Sequence, residues 1–416
     1  MTDIKVALPR TYSEDVIKIR SKRRLSEFGV KKVVVCGGGN SVHVMTADFG
    51  QRKDIDLFIC APYKDEAKRL SEGMKKKNGV EKLYRGGSVV GAPTCVTAEF
   101  KTAITDADLI IIPLPAFAHY STLEGMCPYL KKGAIIASFP GQGGFELTAK
   151  YVLKEKADDI ILVGFNQLPY QCRTEEFGTT VQLIGHKEVL RMATIPSQES
   201  HRMKELFEEL LGYIEIHNVG HQLNITLHPA NQVIHPCIMY GIFHGNEGEW
   251  NEPPMFYANV NDETAALLDA VSDEILLMAK VIHERTGLDM GGVPHISDMM
   301  REMYRGEIAD DSCTKTIFQT NKGYEGLRAP MVKLDSGKYR PDWSYRYMTD
   351  DIPLGLCILR GISDLLDVDT PNIDKIIMWA QKLMGKEYIV DHHLRGKDIE
   401  NTASPQRYGF TFEQIL

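Results

Sequence analysis

The sequence predicts an α/β unit built on a doubly wound parallel sheet, followed by a mostly α-helical unit. Three observations lead there. At 416 residues the chain is too long for one ordinary core. Its first half alternates short apolar runs with helix-like stretches. Its second half carries long helical periodicities, and no strand series returns after about residue 220. The expected partition is an extension over 1–29, an α/β domain over 30–218 and a helical domain over 219–416, with the boundary near Tyr213–Gly220.

The elements follow in order. Lys32–Cys36 is a β-branched run of the kind buried in parallel sheets, and Ser41–Phe49 reads as the helix after it. Ile55–Cys60 is a second strand and Lys64–Met74 a charged surface helix. Leu109–Leu114, Ala134–Phe139 and Ile160–Phe165 continue the strand series, which implies right-handed crossovers. In the second half, Asp262–Thr286 shows an apolar stripe of Ala266, Leu267, Ala270, Val271, Leu277, Met278, Val281 and Ile282. Asn261 or Asp262 is its expected cap and Gly287 its terminator. Thr370-Pro371 opens another helix, and Asp351–Leu366 is a third, with Pro353 confined to its first turn.

Composition narrows the function classes. A hydrophobic fraction of 43% and a charged fraction of 25% describe a globular protein. A net charge of −8 argues against a nucleic-acid or anionic-membrane partner. No apolar run approaches the roughly 20 residues that span a bilayer. The first residues lack the apolar core of a signal peptide, and Glu14 and Asp15 oppose a transit peptide. The eight cysteines are scattered without a CxxC pair, so neither a metal site nor a disulfide framework is expected. A cytoplasmic monomer is the expectation.

Chemistry enters at Gly37-Gly38-Gly39-Asn40, which follows the first strand directly and opens a helix. A strand, a tight glycine turn and a helix N-terminus form the dinucleotide fingerprint of a Rossmann-type domain. Gly37 makes the turn and Gly39 admits the pyrophosphate. Val42 stands where the pattern expects a third small residue. The ribose-binding acid expected at the end of the second strand is absent from Cys60-Ala61-Pro62-Tyr63. Lys64 or Arg69 would favour a 2′-phosphate, so NAD(H) is expected with NADP(H) left open.

From Lys32 to Leu416 the chain resembles the opine dehydrogenase family, and within it the octopine dehydrogenase branch of marine invertebrates. The resemblance is carried by VVCGGGN, PAFAH (Pro115–His119), LPYQCR (Leu168–Arg173), HPCIMYG (His235–Gly241), RYMTDDIPLG (Arg346–Gly355), GKEYIVD and SPQRYGF (Ser404–Phe410). It implies an enzyme that joins pyruvate to an amino acid through an imine reduced by NADH. It places a catalytic histidine at His235 with Asp351 as its carboxylate partner, chemistry that suits an imidazole titrating near neutrality. Arg346 then anchors the pyruvate carboxylate, with Gln142 near the keto acid. Pro115 and His119 line the nicotinamide pocket, and Cys172 within LPYQCR belongs to the substrate side.

Each assignment has a structural alternative. His235 also reads as a hydrogen-bonded core histidine, Asp351 or Asp350 as a helix-start carboxylate, and Arg346 as a salt-bridge partner. His119 and the Gln142 loop also read as packing and turn residues. His217 and His221 have helical spacing without an acidic companion, and are assigned to surface or packing roles.

The amine is read from Asn166 and Gln167. Octopine-forming enzymes resemble the chain here but carry an acid that pairs with a guanidinium. A neutral amide loses that pairing, which points to alanine, glycine, β-alanine or taurine. The alternatives are arginine as the amine, a 2- or 3-hydroxyacid dehydrogenase that needs no amine, and a non-catalytic dinucleotide sensor.

Overall fold

The computed structural model describes residues 23–212 and 214–416; Tyr213 and the first 22 residues of the expected extension lie outside them. The chain divides between Ile225 and Thr226.

Among the described residues of the first unit, twelve strands form two sheets. They are β1 (Lys32–Cys36), β2 (Asp56–Cys60), β3 (Val80–Tyr84), β4 (Gly87–Gly91), β5 (Cys95–Thr97) and β6 (Leu109–Ile112). They continue with β7 (Ile135–Ser138), β8 (Ile161–Phe165), β9 (Tyr170–Glu176), β10 (Thr180–His186), β11 (Val189–Ile195) and β12 (Glu215–Asn218). The main sheet runs β12-β11-β8-β7-β6-β1-β2-β5. It is parallel except where β11 meets β8. The direction of winding reverses at β1, between β2 and β6, which is where open α/β sheets bind ligands.

The β-branched runs explain the double winding. Val33 and Val35 point into one core and Val34 and Cys36 into the other, so both faces of β1 are covered. The same alternation holds in β6, where Leu109 and Ile111 oppose Ile110 and Ile112. β6 stops at Ile112 rather than Leu114 because Pro113 has no N–H for the ladder. Leu25 and Phe28 are buried in the first core, so the described end of the expected extension is part of this unit.

A second sheet, β4-β3-β10-β9, escaped the sequence reading. Its strands are half exposed, and they lack the continuous apolar runs that marked the main sheet. It packs on the first helix, Asn40–Phe49, partly through a buried ion pair between Lys82 and Asp48.

The second unit is helical, with two small ribbons, Met331–Lys333 with Tyr339–Pro341 and Ile389–Val390 with His393–Leu394. The expected caps of Asp262–Thr286 are present: Asn261 accepts the Thr264 N–H, and Gly287 closes the end at φ 74°. Its buried face differs from the predicted stripe. Leu277 is 45% exposed, while Leu268 and Ile275 are buried. Glu274, buried on this helix, accepts the backbone N–H groups of Asn372 and Ile373 and so caps Pro371–Met384. The segment after Asp351 is a wide π-type turn over Ile352–Leu356 leading into the helix Cys357–Leu366. Gly355 permits this approach, since a Cβ there would lie 2.3 Å from Cβ of Gln232 on the helix Asn231–Phe243.

Candidate active site

Two groups of predicted residues are assembled, one in each unit. In the first unit the turn after β1 is tight: Gly37 has φ +98°, and a Cβ on it would meet Leu114 at 2.5 Å. Gly39 caps the helix Asn40–Phe49 without a side-chain hydrogen bond, and a Cβ there would meet nothing within 4 Å. The first-turn N–H groups therefore have no side-chain cap, and open space lies where the fingerprint places a pyrophosphate. This arrangement fits a dinucleotide, which Gly37, Gly38, Gly39 and Asn40 would hold. Val42 does not spoil the turn, because it is buried in the core on the sheet side.

Two contacts that sequence reasoning missed brace the turn against the second sheet. Asn40 Oδ1 accepts the Thr174 N–H at 3.0 Å. His43 Nε2 accepts the Gly178 N–H at 2.8 Å, so its Nδ1–H donates to Gly39 O at 2.9 Å. Burial holds the His43 pKa below the ordinary value. Cys172 on β9 contacts Ser41, and burial pushes its thiol up to about 11, which keeps it protonated.

His119 is buried at the mouths of β6 and β7. Its Nε2 bonds Leu114 O at 3.1 Å and lies 3.3 Å from Ser138 Oγ. Among the described residues Nδ1 has no hydrogen-bond partner, and burial lowers the imidazole pKa to about 4. Pro115 starts the short turn Ala116–Ala118, whose Phe117 is 62% exposed. Gln142 is half-buried in the turn after β7, where Gly143 and Gly144 both take positive φ. Asn166, buried after β8, donates its backbone N–H to Arg191 O and accepts the Arg191 N–H on Oδ1 at 3.0 Å. Gln167 reaches Val189 O at 3.5 Å. His217 sits on β12 rather than a helix, 2.8 Å from Glu215, so it and His221 share no helical face.

In the second unit the helix Asn231–Phe243 carries His235, and the wide turn brings Asp351 to it. Nδ1 lies 2.8 Å from Asp351 Oδ2. A carboxylate only accepts, so Nδ1 carries the hydrogen and Nε2 is the free base. The Tyr257 hydroxyl donates to Nε2 at 3.3 Å, and the imidazole stacks on Tyr347 with centroids 3.6 Å apart. Tyr257 is itself stacked on Tyr324 at 3.7 Å. Neither tyrosine belonged to the predicted set: Tyr257 lies in no motif, and Tyr347 was passed over beside Arg346.

Burial is the largest influence on His235 and lowers its pKa; Asp351 pulls upward and Arg346 downward. The upward pull of the carboxylate is outweighed, because the histidine is only 3% exposed. Arg346 is exposed, and among the described residues its guanidinium makes no ion pair or hydrogen bond. It lies over the Tyr347 ring with its central carbon 5.8 Å from the centroid. The dyad, an unpaired guanidinium and two tyrosines thus occupy one neighbourhood of the helical unit.

A family model described as NAD/NADP octopine/nopaline dehydrogenase, alpha-helical domain, matches residues 218–384, the span that holds His235, Arg346 and Asp351. A tauropine dehydrogenase of Arabella iricolor is 36% identical over 397 residues, covering 92% of this chain and 99% of the relative. The chain belongs to the opine dehydrogenase family. An opine dehydrogenase of Haliotis discus hannai is likewise 36% identical, covering 92% of this chain and 98% of its own. An octopine dehydrogenase structure with NADH and L-arginine superposes with a TM-score of 0.86 at 33% identity, covering 93% of this chain and 98% of that one. The protein is thus an NAD-dependent oxidoreductase acting on CH–NH bonds. Relatives named for tauropine and for octopine match it about equally, so identity alone does not select the amine.

Proposed function

We propose that this opine dehydrogenase condenses pyruvate with a small non-cationic amine, namely alanine, glycine, β-alanine or taurine, and reduces the resulting imine. In sum, pyruvate, amine, NADH and a proton give the opine, NAD⁺ and water.

The first unit would hold the dinucleotide at Gly37–Asn40, with Pro115 and His119 lining the nicotinamide side, and the bound nicotinamide supplies the hydride. Arg346, whose guanidinium makes no ion pair or hydrogen bond among the described residues, would take the pyruvate carboxylate, with Gln142 as a polar contact to the keto acid. His235 begins neutral, as its lowered pKa requires, and Nε2 accepts the proton that frees the incoming amine. Asp351 stabilises the imidazolium so formed. That proton then goes to the carbinolamine oxygen as water leaves, and the ring returns to its starting state. The Tyr257 O–H would release Nε2 for this exchange.

The observation that carries the amine reading is the state of Asn166. Its Oδ1 already accepts the Arg191 N–H, so the amide offers its two N–H hydrogens and at most one further neutral lone pair. The N–H groups suit a carboxylate or sulfonate, and a neutral amide gives a guanidinium no negative charge to pair with. Gln167 and Cys172 extend the same segment without adding a negative charge, since the Cys172 thiol stays protonated.

The test is a panel of amines with pyruvate, followed by NADH oxidation. Turnover with the four small amines and little with arginine is expected. Arginine as the best amine would overturn the amine reading, and oxidation with pyruvate alone would mark a hydroxyacid dehydrogenase.

A further inference from the structure

The sequence has no acid at the end of β2, yet the fold brings one to the glycine turn. A Cβ placed on Gly38 would lie 3.0 Å from Glu66 Oε2 and 3.1 Å from its Cδ. Glu66 is the first residue of the helix Glu66–Lys77, and the same Cβ would lie 3.3 Å from Leu70 of that helix. The helix is thus seated on the turn, and Gly38 leaves room for the carboxylate to rest against it. The cations that would welcome a 2′-phosphate already have protein partners, and the Arg69 charge also acts on Glu66. The Arg69 guanidinium lies over the Phe177 ring at 4.4 Å, with Asp65 3.8 Å away, and Lys64 Nζ lies over Tyr63 at 4.9 Å.

We infer that Glu66 is the cofactor-selecting residue of this enzyme: its carboxylate accepts the adenine-ribose hydroxyls and repels a 2′-phosphate, so the protein takes NADH in preference to NADPH. The inference rests on the dinucleotide reading of Gly37–Asn40. A ribose diol is a pair of donors and a carboxylate a pair of acceptors, whereas a 2′-phosphate replaces a donor by up to two negative charges. Glu66 does this work from the start of the following helix, which is why a search at the strand end misses it. Burial raises its pKa, a sign that the carboxylate is drawn partly out of water beside the turn.

The test is equilibrium binding of NADH and of NADPH to the full-length protein, read by nicotinamide fluorescence. Wild type should bind NADH about tenfold or more tighter than NADPH, in line with one charged hydrogen-bond interaction. Raised salt should narrow that ratio. Glu66→Gln should narrow it by about tenfold, mainly by tightening NADPH. Gly38→Ala, which crowds the carboxylate out while leaving it in the chain, should shift the ratio in the same direction and serves if Glu66→Gln fails to fold. A ratio unchanged in both variants, or equal affinities in wild type, would overturn the assignment. Binding of neither nucleotide would instead overturn the dinucleotide reading, and the inference with it.

Discussion

Asp351 Oδ2 lies 2.8 Å from Nδ1 of His235, and this one contact decides which ring nitrogen can act as a base. With the hydrogen fixed on Nδ1, the proton exchange falls to Nε2. Replacing His235 by Ala should therefore lower turnover by about 10²–10⁴-fold. NADH affinity, measured separately by fluorescence, should be nearly unchanged, because the glycine turn belongs to the other unit. Turnover near that of wild type would remove His235 from the mechanism.

Asp351→Asn tests the other half of the dyad. Burial pushes the His235 pKa below its ordinary value and Asp351 opposes that push. Without the carboxylate the imidazolium loses its counter-charge, and the pKa falls further. The acid limb of kcat/KM, already below pH 6.5 in wild type, should move to lower pH while turnover drops about a hundredfold. A limb that stays in place would mean Asp351 has no electrostatic hold on the ring.

Arg346 is exposed and, among the described residues, makes no ion pair, so its removal should leave stability almost intact. Arg346→Lys keeps the charge but loses the planar fork. It should raise the KM for pyruvate by about tenfold or more, with NADH affinity unaffected. A pyruvate KM equal to wild type would assign the carboxylate anchor to another residue.

How much of this was legible in the chain depends on the range of each interaction. β1, β2, β6, β7 and β8 showed themselves because strands buried on both faces must be continuously apolar. The caps at Asn261 and Gly287 were visible because capping is local. The second sheet was not, since β3, β4, β9 and β10 are half exposed and the β3–β10 pairing that joins its two hairpins spans about a hundred residues of sequence. In the helical unit, the histidine and aspartate were legible through the words around them. Tyr257 and Tyr347 reach His235 only through tertiary packing, and no spacing announces that. Glu66 illustrates the same limit: an acid was sought at the strand end, and folding delivers it from the next helix.

His119 links the fold to pH. Its pKa is about 4 in the folded state against an ordinary value near 6.5. Below pH 6.5 the unfolded chain takes up a proton that the folded chain refuses, so stability present at neutral pH is lost as pH falls toward 4. From pH 7 to pH 5 this histidine should account for a loss of about 2 kcal/mol. Urea unfolding of wild type and His119→Gln at both pH values measures it. The variant should lose about that much less on acidification, and an equal loss in both would place the acid sensitivity elsewhere.

The last prediction concerns the amine. In Asn166→Asp the backbone bond to Arg191 is kept, because an aspartate oxygen accepts that N–H as well as the amide oxygen does. What changes is the second atom: two donor hydrogens become a negatively charged acceptor. A guanidinium then gains a partner, whereas a carboxylate or sulfonate meets repulsion. The ratio of kcat/KM for arginine over alanine or taurine should rise by about tenfold or more, with the KM for pyruvate little changed. The position is buried, so the gain depends on the new charge being met by a cationic substrate rather than by water. If the ratio stays flat while the variant remains folded and binds NADH, Asn166 does not face the amine, and its role is confined to joining β8 to Arg191 of β11.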